Sequence, residues 1–104
     1  MTEFVTVARV GEIPPGRGCM VRAGMREIAL FLLDGRYYAL DDCCPHAGAS
    51  LHTGDLVDGM VVCDRYLWAF RLDDGRSPDS ASLRAETYEV RLVGDEIQVR
   101  LPVR

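Results

Sequence analysis

Short apolar runs rich in β-branched residues are cut at close intervals by glycine, proline and Asp-Gly pairs, which leaves almost no helical period anywhere in this chain. Phe4 to Val10 reads as a strand that stops at Gly11, and Pro14-Pro15-Gly16 is a turn. Cys19 to Val21 and Ile28 to Leu33 read as paired strands. Asp34-Gly35 then gives a two-residue hairpin signal before Arg36, and Tyr37 to Leu40 continues the meander. From Cys43 to Gly75 the texture changes to loops, broken by Pro45, Gly48, Gly54 and Gly59. Short apolar pieces survive there at Met60-Val61-Val62 and Leu67-Trp68-Ala69-Phe70, and Asp73-Asp74-Gly75 closes the insert. Glu86 to Val90 and Glu96 to Leu101 alternate again, joined at Gly94-Asp95, and only Ser80 to Arg84 offers a helical turn. The expectation is an all-β fold of small antiparallel sheets with a loop-rich insert. It would form a single domain over residues 1–104, with a base from 1–42 and 76–104 and the loops in 43–75.

Composition narrows the function. The 104 residues suffice for one domain with a real core but not for two. A net charge of −4 with no clustered basic stretch argues against nucleic acid as a partner. The longest apolar run, Ile28 to Leu33, is far too short to cross a bilayer, and the start Met1-Thr2-Glu3-Phe4 does not look like a signal peptide. The expected setting is cytoplasmic, with no membrane partner. Every basic residue is arginine and asparagine is missing, which reads as a GC-rich, bacterial coding bias.

The four cysteines carry the chemistry. Cys44-Pro45-His46 is followed, after sixteen residues, by Cys63-Asp64-Arg65-Tyr66. In a reducing compartment, cysteine and histidine at ligand spacing point to metal before disulfide. Cys44, His46 and Cys63 are the candidate metal ligands. Two thiolates and an imidazole are also a recognised zinc set with a fourth position open, so a mononuclear site is one reading. Cys43 should turn away from Cys44, because consecutive side chains of an extended segment point opposite ways. It is expected as a buried or loop thiol, His52 as a solvent-exposed loop histidine, and Cys19 as a core residue.

The stretch Asp42-Cys43-Cys44-Pro45-His46-Ala47-Gly48-Ala49-Ser50-Leu51 resembles the first cluster loop of small Rieske-type ferredoxins. Val61-Val62-Cys63 through Trp68-Ala69-Phe70 is similar to the second loop and the strand after it. Pro78 falls where that family carries a cluster-shielding proline loop, and Tyr88 to Val99 resembles its closing hairpin. The resemblance implies a [2Fe–2S] cluster with Cys44 and Cys63 on the inner iron and His46 on the outer one. Tyr66 occupies the position of the second imidazole as a cofactor-binding candidate, and there the pattern breaks. A phenol carries its oxygen at the far end of a larger ring, so on an unchanged loop path the hydroxyl overshoots the iron. Phenolate can bind ferric iron, but its proton, with a free pKa of about 10, must first be displaced. Ala49 and Leu67 stand where high-potential relatives join their loops by a disulfide. Trp68 and Phe70 replace the hydroxyl donors that raise the potential, so a low-potential cluster is implied, and both aromatics read as packing beneath the loops.

The functions implied are three. One is an electron carrier between a flavin-dependent reductase and an oxygenase, or a reductase large subunit, rather than an enzyme by itself. The second is a cluster-free structural or regulatory subunit of the nitrite reductase small-subunit type, for which loss of a ligand at Tyr66 is the expected drift. The third is the mononuclear Cys44, Cys63 and His46 site. Asp41, Asp42, Asp55, Asp58 and Asp64 form an acidic set around the loops, read as a solvated rim that could steer docking.

Overall fold

The apolar run at Ile28–Leu33 turns out to be a strand with no solvent face over most of its length. In the computed structural model, which describes residues 2–44, 50–63, 68–78 and 80–102, it lies in β3 (Arg26–Leu33). Ile28, Leu30 and Leu32 point to one side and Ala29, Phe31 and Leu33 to the other, and each set packs into a different hydrophobic cluster. A strand buried on both faces needs a continuous apolar run rather than alternation, which is what the sequence supplies.

Strand β3 sits between β2 (Gly18–Ala23) and β4 (Arg36–Asp41) in a four-stranded antiparallel sheet of order β10-β4-β3-β2. The β3–β4 turn pairs Leu33 with Arg36, with Asp34 at φ 52° and Gly35 at φ 77°. Positive φ at both central residues is the hairpin geometry that an Asp-Gly pair accommodates. A second sheet of order β1-β12-β11 joins β1 (Thr2–Arg9) to β12 (Glu96–Pro102) and β11 (Val90–Val93). Its register slips between Thr6 and Ala8, leaving Val7 as a bulge. These two sheets enclose the base core, built from Ile28, Leu30, Ala39, Ile97, Val99 and their neighbours.

The insert builds its own three-stranded sheet, β5 (Asp55–Val57), β6 (Met60–Val62) and β7 (Ala69–Arg71). A two-stranded piece follows, β8 (Arg76–Ser77) and β9 (Ser80–Arg84). Val61, Phe70, Leu72 and Ala85 from these segments meet Phe31 and Leu40 in a second core on the opposite face of the β3–β4 sheet. Among the described residues there is no helix, hence none long and apolar enough to cross a membrane.

Two expectations need correction. Ser80–Arg84 is a strand, not a helical turn. Ser82 and Arg84 are exposed while Leu83 and Ala85 turn inward, and Ser80 and Ser82 hydroxyls lie 3.0 Å apart on one side, a period of two. Glu86 to Val90 is not one strand of the closing hairpin either. Tyr88, in β10 (Thr87–Tyr88), pairs with Ala39 of one sheet, and Val90 pairs with Val99 of the other, so the chain changes sheets at Glu89. The hairpin at Gly94-Asp95 stands, with Gly94 at φ 61°.

Candidate metal centre

Both loops that open on a cysteine are closed at their stems by hydrogen bonds. The second is the simpler. Strand β6 delivers Cys63, whose N–H donates at 2.7 Å to the carbonyl of Trp68, the residue that leads into β7. The first loop leaves β4 at Asp41, whose N–H is bound to the Glu86 carbonyl at 2.8 Å. The Asp42 N–H is bound to the Glu27 carbonyl at 3.0 Å.

The Asp42 carboxylate then reaches across the loop mouth. Its Oδ1 accepts the Leu51 N–H at 2.8 Å and the His52 N–H at 2.9 Å, and its Oδ2 lies 2.8 Å from His52 Nδ1. The side chain of Asp42 is only 2% exposed, so these bonds replace the water that burial strips away. The returning leg, Leu51 to Gly54, is held tightly. Leu51 is fully buried, and the Gly54 N–H donates to the Leu51 carbonyl at 3.0 Å. A Cβ on Gly54 would overlap the Val62 carbonyl, one residue before Cys63. A Cβ on Gly18 would sit 2.5 Å from the Phe31 ring and 2.7 Å from the His52 carbonyl.

Cys44 and Cys63 are fully buried and belong to the same core cluster, with Leu51, Phe70 and Leu40. No disulfide links the described cysteines. Two reduced thiols, close to the stems of two loops and buried in one apolar cluster, are a donor set that suits the thiolate half of a cluster, or zinc. His46 and Tyr66 lie outside the described residues, at 45–49 and 64–67. Among the described residues no three Cys, His, Asp or Glu side chains form a metal-binding group. The remaining candidates at the family spacing are those two loop residues.

The other expectations divide. Phe70 is buried in the loop core and Trp68 packs against it, as packing residues should. Cys19 is half-buried against the base core. Cys43 is exposed, and partial desolvation with the charges of Asp41 and Asp42 pushes its thiol pKa up, away from the thiolate a ligand needs. His52 is not a free loop histidine; it is half-buried and tied to Asp42. The acidic rim shrinks as well. Asp42 is interior, Asp55 and Asp58 are exposed, and Asp64 lies outside the described residues.

Asp41 belongs to a network instead. The Tyr88 hydroxyl lies 3.3 Å from its Oδ1 and 3.0 Å from Glu86 Oε2, and Arg26 donates to both Tyr88 and Glu86, at 2.8 and 3.1 Å. Burial raises the pKa of Asp41 above the usual aspartate value, and burial also raises that of Tyr88. Neither the Asp42 tie nor this network had a signal in the sequence beyond an acidic pair before the cysteines.

Comparison with known proteins agrees with this fold. The model of the Rieske-like [2Fe-2S] domain matches residues 3–100. The chain is 31% identical to the biphenyl dioxygenase ferredoxin subunit of Pseudomonas sp. (strain KKS102), over 92% of this chain and 90% of that protein. It is 33% identical to the 3-phenylpropionate/cinnamic acid dioxygenase ferredoxin subunit of Escherichia coli (strain K12), over 89% of each. Its fold superposes with a TM-score of 0.92 on a Mycobacterium tuberculosis protein assigned as an NADH-dependent nitrite reductase small subunit. That pair shares 28% identity, over 100% of this chain and 99% of the other.

Proposed function

Because the chain belongs to the Rieske-like [2Fe-2S] domain family, we propose that it is an electron-carrying ferredoxin built around Cys44, Cys63 and His46. Its partners would be a flavin-dependent reductase on one side and an oxygenase-type acceptor on the other. The observation that carries this reading is the burial of Cys44 and Cys63 in a single core cluster close to the stems of two closed loops. Likeness to two dioxygenase ferredoxin subunits across about nine-tenths of the chain supports the choice of partners. When bound, the cluster supplies a one-electron couple whose potential follows its ligands, hydrogen bonds and exposure. The chain's own part is to keep two thiolates dry and fixed. Cys44 and Cys63 would hold the inner iron, His46 would offer one imidazole to the outer iron, and residues 43–75 would form the unit that carries them. Reduced thiols fit a cytoplasmic setting.

Tyr66 makes the outer iron the weak point. With one imidazole missing, the outer iron would need a further donor from Tyr66, another side chain or solvent, and the centre should be more open to oxidation and loss. Anaerobic purification with iron and acid-labile sulfide measured per chain, and a visible spectrum, tests the reading. Tyr66→His should raise retention and give the spectrum of a two-histidine centre. If reconstitution of both forms yields no iron–sulfur absorption, the electron-carrier reading falls. A cluster-free subunit replaces it, a reading favoured by Tyr66 itself and by the close superposition on the M. tuberculosis small subunit. Zinc at about one equivalent per chain would instead identify the mononuclear site.

A further inference from the structure

We propose that Asp42 is the positioning residue of this centre, tying the two legs of the first loop together and setting that loop against the strand that delivers Cys63. The proposal rests on the reading of the two loops as the cradle of a metal centre. Its evidence lies in the polypeptide alone.

Three bonds converge on one interior carboxylate, and all three come from two consecutive residues on the far side of the loop. They span nine or ten positions of sequence, from Asp42 to Leu51 and His52. A buried carboxylate is costly unless its oxygens are filled, so its presence here calls for a task that an apolar side chain could not perform. The backbone of Asp42 is itself held to Glu27 of β3, so the tie is anchored in the central sheet rather than in another loop. His52 Nδ1 donates to Oδ2, which fixes the ring as well as the backbone.

The tie extends to the second cysteine through contact. The returning leg is boxed on three sides: by Asp42, by Gly18 beneath His52, and by the Val62 carbonyl against Gly54. Neither glycine leaves space for a side chain, so the leg lies in direct backbone contact with β2 and β6. Residues 49 and 67 are alanine and leucine and cannot form a covalent link between the loops. The carboxylate ties the loop at its stems.

The test is site-resolved alkylation of the full-length apo chain with iodoacetamide under native conditions, read residue by residue by mass spectrometry. In Asp42→Ala, Cys44 should label faster by on the order of ten- to a hundredfold, the range for hydrogen bonds to a charged acceptor. Cys63 should follow by a smaller factor, and Cys19 should keep its wild-type rate. Asp42→Asn keeps an oxygen for both backbone N–H groups and should restore Cys44 to within a few-fold of wild type. If Asp42→Ala does not fold, His52→Ala removes only the ring contact and should still speed Cys44 by a few-fold. A uniform rise at Cys19, Cys44 and Cys63, failure of Asn to rescue, or an unchanged Cys44 rate in His52→Ala each overturns the proposal. Reconstituted Asp42→Ala should also hold less iron per chain and show altered visible circular dichroism, with Asn again restoring both. If neither the wild-type chain nor Tyr66→His takes up a cluster, the proposed function fails, while the alkylation pattern still decides the role of Asp42.

Discussion

The two faces of the central sheet carry cores made by different means. On the base side, Ile28, Leu30, Ala39, Ile97 and Val99 interlock between two regular antiparallel sheets, and strand register alone brings them together. On the loop side, strands are two to five residues long. Packing there relies on glycines that allow backbone to touch backbone, on turns, and on one interior carboxylate. Both cores are apolar, yet only the second holds fully buried cysteines. Regular pairing gives stability with little freedom to place a side chain off the sheet, whereas tied loops give placement and need local bonds to hold it.

The largest expected effects come from emptying each core in turn. Phe31→Ala should cost about 3–5 kcal/mol and Leu30→Ala about 2–5 kcal/mol in denaturant unfolding. At matched global stability only Phe31→Ala should raise the reactivity of Cys44 and Cys63. Equal exposure of both thiols in Leu30→Ala would erase the distinction between the two faces. Gly54→Ala comes next. Its Cβ meets the Val62 carbonyl and the Val61 side chain, and relieving that overlap should cost roughly 1–3 kcal/mol and loosen Cys63. Gly59→Ala stands in open space at φ 76° and should carry only the left-handed backbone cost of about 1 kcal/mol. If thermal melts place the two variants together and Cys63 labelling is unchanged in both, the close approach does not matter.

The smallest effect is one of pH. Asp41 has a folded-state pKa above its unfolded value, chiefly through burial, with Glu86 and Asp42 adding to the rise. The folded state therefore holds this proton more tightly, and stability falls as pH climbs from the ordinary aspartate range through the raised value. Asp41→Asn removes that slope, and its oxygen can still accept from Tyr88. Unfolding midpoints across that window should differ in slope between the two proteins; parallel curves would refute the assignment.

What the sequence made legible was local. Asp34-Gly35 and Gly94-Asp95 name their own hairpins because two residues contain the whole turn requirement, and the cysteine spacing named the loops. Asp58-Gly59 is the same signal, with φ values of 52° and 76°, set in a stretch whose glycines read as loop breaks. Asp42 and His52 looked like solvent-facing residues because their partners lie nine or ten positions away, and no local pattern encodes that pairing. The split of Glu86–Val90 was hidden for a similar reason. A two-residue strand such as Thr87–Tyr88 exists only through its partner in β4.

The double burial of β3 has a consequence for the order in which the molecule comes together. The β2–β3–β4 meander is joined by short turns and draws on near neighbours in sequence. The β1–β12 pairing, in contrast, matches Thr2 with Pro102. Chain-closing contacts form more slowly than local ones because more conformational entropy is lost before they are rewarded. The meander is thus the wall that can stand first, with the base and the loops raised against its two sides afterwards. On such a route the ties at the loop stems, which span ten residues or fewer, can shut around the two thiols before Thr2 reaches Pro102, so an ion bound there would have to be captured early.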